Sequence, residues 1–515
     1  MMAAQHTRRF QLLLASSQPV SLWRTGIGLT ALLVCTLSMR PAWSVVDPSL
    51  LTGTTFERAT DSVSLGLPTM GGGPSLLEQH EEQQQGEAIL RELRRTAPLL
   101  NDPWVQEELA RVFTRISAQA GLKKPVALLL IRDPQINAFA TPGGLVAVYS
   151  GLMAQAESMD EVAGVLAHEV AHVSQRHFSR RQFDLRNNKW LSLGGMVAGI
   201  LLAKQDSDAG AAVMTGSQAA AISQQLSYSR DQEREADRVG MQLMRAAGFA
   251  PQGMPDFFDI MQRSNGNHGF LPDFVLTHPL TLERTSEAHL RAAQFKAQAP
   301  TPAELTHFRL LQGQINALSG QLSINSVRML AERDDVAATT LATLYRLNGR
   351  FNEARALLGR LQKAHPTWSL LPLIAAEVEL DDGKPQAALA IIEPVYRLTP
   401  TSKPLALLMA RAWIDQQQSQ QAIDLLQDLS RESPTDLMIW QLLYSAASRL
   451  PDDTPDKAIS VLRYRAESQF WSGQVDDGIV SLERAQTLAR TGGWLYAKIS
   501  QRLNTMREDR KVKLG

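Results

Sequence analysis

The sequence predicts a mostly α chain in two parts: an α+β domain, with a small sheet packed on a helix carrying paired histidines, then an α-solenoid of repeated helix pairs. Three observations predict it. At 515 residues the chain is too long for one core. Short runs of strand-forming residues, "VALLLIRD" and "INAFATPGGLVAVYS", come just before a helical stretch containing "AHEVAH". From about residue 304 onward, particular residues recur with a fixed step of 34. Composition suits a folded chain, with 44% hydrophobic and 20% charged residues. The 52 basic and 52 acidic residues cancel, so no overall basic excess points to nucleic acid as a partner.

Residues 25–39, "TGIGLTALLVCTLSM", form an apolar run too short for a membrane span, which needs about 20 residues. Arg8, Arg9 and Arg24 precede it, and Ala42 and Ser44 follow with the spacing of a signal-peptidase site. Residues 1–44 therefore read as a signal peptide cleaved after Ser44, and an uncleaved anchor is the alternative. The single cysteine, Cys35, lies inside this segment. The mature chain then has no disulfide and no thiol nucleophile, and a metal site would have to use histidines and carboxylates. An exported chain of this kind belongs in a bacterial periplasm.

Residues 45–76 are rich in Gly, Ser, Thr and Pro and read as a flexible lead-in. Helical periodicity follows in "SLLEQHEEQQQGEAILRELRR" and "DPWVQEELARVFTRISAQA", then the two strand-like runs, with Gly143 and Gly144 at the bend of a hairpin. Ser158 with Glu161 three residues on marks a helix start at Met159, and the helix is expected to run past His177. Trp190–Ala203 is apolar all round but too short to span a bilayer; it reads as a buried helix or a flap touching lipid or substrate, a peripheral membrane contact. Helical pattern resumes before "SRDQEREADRVG" and stops at Gly248. The expected domains are 77–303 and 304–515.

In the second domain Pro366, Pro400 and Pro434 share the 34-residue step, as do Ala354, Ala388 and Ala422, and Ala342, Ala376 and Ala410. Gly349 and Gly383 keep the same step, with Gln417 in the third place. This is the repeat length of tetratricopeptide helix pairs, in which small residues sit where helices touch.

His168 and His172 are four apart, so both imidazoles lie on one face of a helix and can reach one ion. Glu169 beside them suits a base that takes a proton from an activated water. A third ligand is needed. Phe178 occupies the position where a third histidine would extend the motif, and His177, nine residues after His168, falls on the opposite face of the same helix. The other source is "SRDQEREADRVG". Glu233 and Asp237 share its apolar side with Ala236, Gly240 and Met244, whereas Glu235 points away toward solvent. Glu233 is therefore the expected ligand, and Asp237 the acceptor that fixes a ligating imidazole. Taken alone, the stretch would favour a charged surface helix with intrahelical ion pairs.

With "HEVAH", "EREAD", "NAFATPGG" and "THPL" in this order, the chain resembles the M48 family of zinc metallopeptidases. The resemblance implies a zincin-like metalloprotease domain with one zinc ion per chain on His168, His172 and Glu233, Glu169 as catalytic base and Asp237 in support. It also implies that His278 sits over the metal, stabilising an oxyanion or acting as a fourth ligand, and that Arg284 anchors its segment. Asn137, Ala138, Phe139 and Ala140 are the expected substrate platform, pairing with an extended polypeptide by strand addition. Joined to an export signal and a repeat array, the resemblance implies an endopeptidase acting on unfolded or stalled outer-membrane polypeptides, partnered by the outer-membrane β-barrel assembly machinery. The competing reading is a non-proteolytic chaperone or scaffold with a dormant metal site.

Overall fold

Two amphipathic helices open the described chain, α1 (Leu76–Thr96) and α2 (Pro103–Gln119). A computed structural model describes residues 76–122, 125–177, 228–268, 274 and 278–512. The expected signal peptide (1–44), all but the last residue of the lead-in (45–76) and the apolar stretch Trp190–Ala203 lie outside the described residues. Asp102 starts α2 in the expected way: its carboxylate accepts the Val105 N–H at 2.9 Å, and proline fills the first turn, where no donor is needed.

The strand-like runs become β1 (Ala127–Ile131), β2 (Ala138–Thr141) and β3 (Leu145–Tyr149), in the order β1-β3-β2. β3 runs parallel to β1 and antiparallel to β2. The hairpin turns at Gly143 and Gly144, both at φ 76. A Cβ on Gly143 would lie 2.6 Å from the Glu82 carbonyl, so only glycine lets α1 cross so close. Alternate side chains meet different partners. Leu128, Leu130, Val146 and Val148 face the first core, while Leu129, Ile131, Leu145 and Ala147 join Phe470, Trp471 and Leu503 from the far end of the chain. Burial on both faces explains why these strands read as unbroken apolar runs. β2 has a sheet partner on one side only among the described residues, which leaves it at the edge.

Next come α3 (Ser150–Gln155) and α4 (Met159–Ser174), the helix with the paired histidines. The Ser158 hydroxyl accepts the Glu161 N–H, as the capping pattern predicts. Every residue from Glu161 to His172 is buried. One expectation fails here. α4 stops at Ser174 instead of running past His177, because Arg176 adopts φ 54 and reverses the chain. The signal is absent from the local sequence, since arginine has no preference for left-handed backbone.

α5 (Arg230–Ala246), α6 (Gly253–His268) and α7 (Leu282–Ala292) complete this part. α5 ends as Gly248 takes φ 77, the expected stop. It crosses α4 at Gly240, where a Cβ would lie 3.1 Å from the backbone of Ala167 and His168. A bulkier side chain here pushes the two helices apart at the histidines. Gly240→Val is expected to lower stability by about 1–3 kcal/mol and to weaken metal binding, read by denaturant unfolding and by metal content. Unchanged metal binding in a folded Gly240→Val chain would show that the crossing does not set the site.

The solenoid runs from α8 (Pro302–Leu318) and α9 (Ile324–Ala331) through the pairs α10 (Asp335–Leu347) with α11 (Phe351–Ala364), α12 (Leu370–Asp381) with α13 (Pro385–Leu398), and α14 (Lys403–Asp415) with α15 (Ser419–Glu432). It closes with α16 (Leu437–Ser448), α17 (Lys457–Trp471), α18 (Val475–Leu488) and α19 (Trp494–Asp509). The periodic alanines Ala342, Ala376, Ala354, Ala388, Ala410 and Ala422 are all fully buried, as the helix contacts require. Gly349 and Gly383 turn at φ 70, and Gln417 takes the same left-handed conformation at φ 63. Helices α17 to α19 return to α1, where Arg91 lies over the Phe470 ring at 4.5 Å. No described helix is long and apolar enough to cross a membrane.

Candidate metal centre and active site

Three segments converge beside the edge strand. α4 supplies His168, Glu169 and His172, α5 supplies Glu233 and Asp237, and the turn before α7 supplies His278. Ligand atoms of His168, His172, Glu233 and His278 all lie within 4.8 Å of one another, and each residue is buried. His168 Nε2 is 3.0 Å from His172 Nε2 and 3.3 Å from His278 Nδ1. Glu233 is 3.5 Å from each of the two α4 imidazoles and 3.0 Å from His278.

These separations bear on whether a metal fits. Four donors around a tetrahedral zinc, at bonds of about 2.0–2.1 Å, stand about 3.3 Å apart. Five separations within the cluster, counting both Glu233 oxygens, run from 3.0 to 3.5 Å, and the whole set lies within 4.8 Å. Two imidazole nitrogens facing each other need either a proton or a metal ion between them. Both Glu169 oxygens are also buried without a well-formed hydrogen bond; His278 Nε2 lies 3.4 Å from one of them, and the Ala140 N–H lies close by. The donor set fits a divalent ion with a reactive carboxylate alongside.

The supporting contacts are strong. His168 Nδ1 lies 2.9 Å from Asp237 Oδ1, so Nε2 is left to face the cluster. Arg284 holds Asp237 in a fork, Nε to Oδ2 at 2.7 Å and an amino group to Oδ1 at 2.8 Å. The same guanidinium reaches Glu233 at 2.7 Å and the Pro279 carbonyl, next to His278, at 2.8 Å. The Phe274 ring stacks on His278 at 4.6 Å, and the Tyr228 ring stacks on His172 at 3.9 Å.

Burial and charge divide the protons. Burial raises Glu169 above the usual carboxylate range, which suits a group that must accept a proton and later release it. Burial would also raise Glu233, but His278, His168 and Arg284 overcome it and hold Glu233 well below that range. Burial works against a charged His168, yet Asp237 and Glu233 bring it up to about 9 in the metal-free chain. A metal must therefore displace a proton there. Burial and the neighbouring His168 push His172 well below its ordinary value, leaving it neutral and ready to ligate.

All the residues singled out in the sequence as ligands, base and support meet here: His168, Glu169, His172, Glu233, Asp237 and His278. Ala138, Phe139 and Ala140 lie in β2, directly after Asn137, and a narrow cleft leads past Ala140 and Pro142 to His172 and Tyr228. The expectation for Glu235 needs correction. It does not simply face solvent; its carboxylate meets His177 Nε2 at 3.1 Å. His177 is fully buried rather than on the far side of the helix, because α4 has already ended. Sequence reasoning also missed Phe274 and Tyr228, single aromatic residues that carry no periodic signal.

Both parts of the chain match known protein families. Peptidase family M48 matches residues 100–292, and a tetratricopeptide repeat family matches residues 379–446. The chain is 31% identical over 451 residues to the β-barrel assembly-enhancing protease of Escherichia coli O157:H7, covering 86% of this chain and 91% of that protein. Identity to the protein of the same name from Yersinia pestis is 31% over 337 residues, 64% of this chain and 69% of that one. The mitochondrial metalloendopeptidase OMA1 of Arabidopsis thaliana is 27% identical over 230 residues, 44% of each chain.

Proposed function

Because the chain belongs to peptidase family M48 and is a metal-dependent endopeptidase with tetratricopeptide repeats, we propose that it is a periplasmic zinc enzyme that cleaves unfolded or stalled outer-membrane β-barrel polypeptides. The observation that carries this reading is the buried set His168, His172, Glu233 and His278, with Glu169 against it. Zinc is the metal this mixture of imidazoles and one carboxylate suits best, and when bound it acidifies water and polarises a carbonyl.

The protein's own groups do the rest. Glu169 takes the proton from the attacking water and returns it to the leaving amine. Asp237, aligned by Arg284, keeps His168 in the tautomer that ligates. The edge of β2, without a sheet partner on that side among the described residues, pairs with an extended substrate chain, with Asn137 to Ala140 as the platform and the adjoining cleft leading to His172. Such pairing reads backbone more than side chains, which suits substrates that are unfolded rather than of one sequence. His278 would complete a four-donor set with His168, His172 and Glu233. Displaced from that set, the same imidazole would be placed to donate to a developing oxyanion.

The protease unit spans 77–303 and the repeat unit 304–515, the latter offering a surface to the outer-membrane β-barrel assembly machinery, as the names of the relatives suggest. The full chain, stripped with a chelator and reloaded with zinc, is expected to hold about one zinc per chain. It should cleave an unfolded outer-membrane barrel protein but leave the folded barrel intact. Cleavage that persists after complete metal removal, or equal cleavage of folded and unfolded barrels, would overturn this reading.

A further inference from the structure

Outside the ligands and their supports, a pair of ionisable side chains, the buried His177 and the partly buried Glu235, adjoins the centre. Arg176 is held in its left-handed conformation by α1, through Glu82 at 2.7 Å and Glu78 at 3.4 Å. The reversal tucks His177 under the end of α4, where its Nδ1 lies 2.9 Å from Nδ1 of His172. Its other nitrogen lies 3.1 Å from the Glu235 carboxylate.

The proton positions follow from the cluster. His172 faces the other ligands with Nε2, and that nitrogen must carry a lone pair to ligate, so its hydrogen sits on Nδ1. His172 Nδ1–H then donates to His177 Nδ1, and His177 Nε2–H donates to Glu235. His168 is served in a parallel way by Asp237 at 2.9 Å. One helix, α5, thus supplies a carboxylate to each of the two imidazoles, directly for His168 and through an interposed imidazole for His172.

We propose that His177, backed by Glu235, is a positioning residue that holds His172 in its ligating tautomer and ring orientation. The proposal rests on the reading of His172 as a metal ligand. The left-handed turn at Arg176 is what makes the contact, so α1 contributes to the centre without touching it.

The test uses the full chain and the metal ions themselves. Zinc affinity is measured by chelator competition, the visible spectrum of the Co2+-loaded protein is recorded, and thermal unfolding is followed without metal. His177→Phe keeps the ring volume but offers no acceptor, and is expected to weaken zinc binding about 10–100-fold and shift the cobalt bands. Glu235→Leu should lose affinity in the same direction by a smaller factor. His177→Asn, which restores an acceptor for His172, should recover most of the loss. A role confined to packing would lower metal-free thermal stability and leave affinity and cobalt bands at wild-type values; that result overturns the proposal. Should His177→Phe fail to fold, Glu235→Leu decides alone, because its side chain is one-quarter exposed and its loss leaves the core packed. Absence of zinc binding by the wild-type chain would instead overturn the ligand assignment on which the proposal stands.

Discussion

Replacing Glu169 with Gln is expected to cut peptide hydrolysis by about 10³–10⁴-fold and to leave zinc content unchanged. The amide has the shape of the carboxyl group but cannot take a proton from water. Glu169 is a neighbour of the ligand set and not a member of it, so the metal should stay. Stability should not fall. The carboxylate is fully buried and its charge is disfavoured there, so a neutral amide relieves desolvation. The variant should still bind unfolded barrel protein, which separates binding from cleavage. Degradation of casein at the wild-type rate by the Glu169→Gln chain would remove Glu169 from the chemistry.

The second large effect is expected at Arg284, which looked in the sequence like a modest anchor. It is buried and pairs at once with Glu233 and Asp237, themselves buried. Arg284→Leu leaves two carboxylates in the interior without their cation, an arrangement that costs about 3–5 kcal/mol. Lysine should rescue poorly, since a single ammonium cannot make the fork to Asp237 and also reach Glu233 and the Pro279 carbonyl. Bound zinc would supply part of the missing positive charge, so the deficit should be largest in the metal-free protein. Denaturant unfolding of wild type and variant, with and without zinc, measures both quantities. A metal-free Arg284→Leu chain within about 1 kcal/mol of wild type would show that the network is not what holds α5 and α7 together.

The repeat array was legible because its evidence is arithmetic. Ala354, Ala388 and Ala422 recur at one step since each must fit the same close helix contact, and all three are buried. The two α4 histidines and the choice of Glu233 and Asp237 over Glu235 followed from helical periodicity, which a helix obeys wherever it sits. His278 had no such support. Only the likeness of "THPL" to a known family pointed to it, because a histidine in a turn carries no periodic signal.

What the sequence by itself determined, then, is whatever depends on spacing within one helix or repeat: the shared face of His168 and His172, the inward side of α5, and the period of the solenoid. Tertiary structure alone decided where α4 ends, how His177 and Glu235 reach His172, and that Arg284 is the common counter-ion of two acids. The physical reason is the origin of the forces. Arg176 is held in a left-handed turn by Glu82 and Glu78, more than ninety positions earlier in the chain, and Arg284 meets Asp237 from 47 positions away. Charges brought together by the packing of distant helices leave no pattern in the residues next to them.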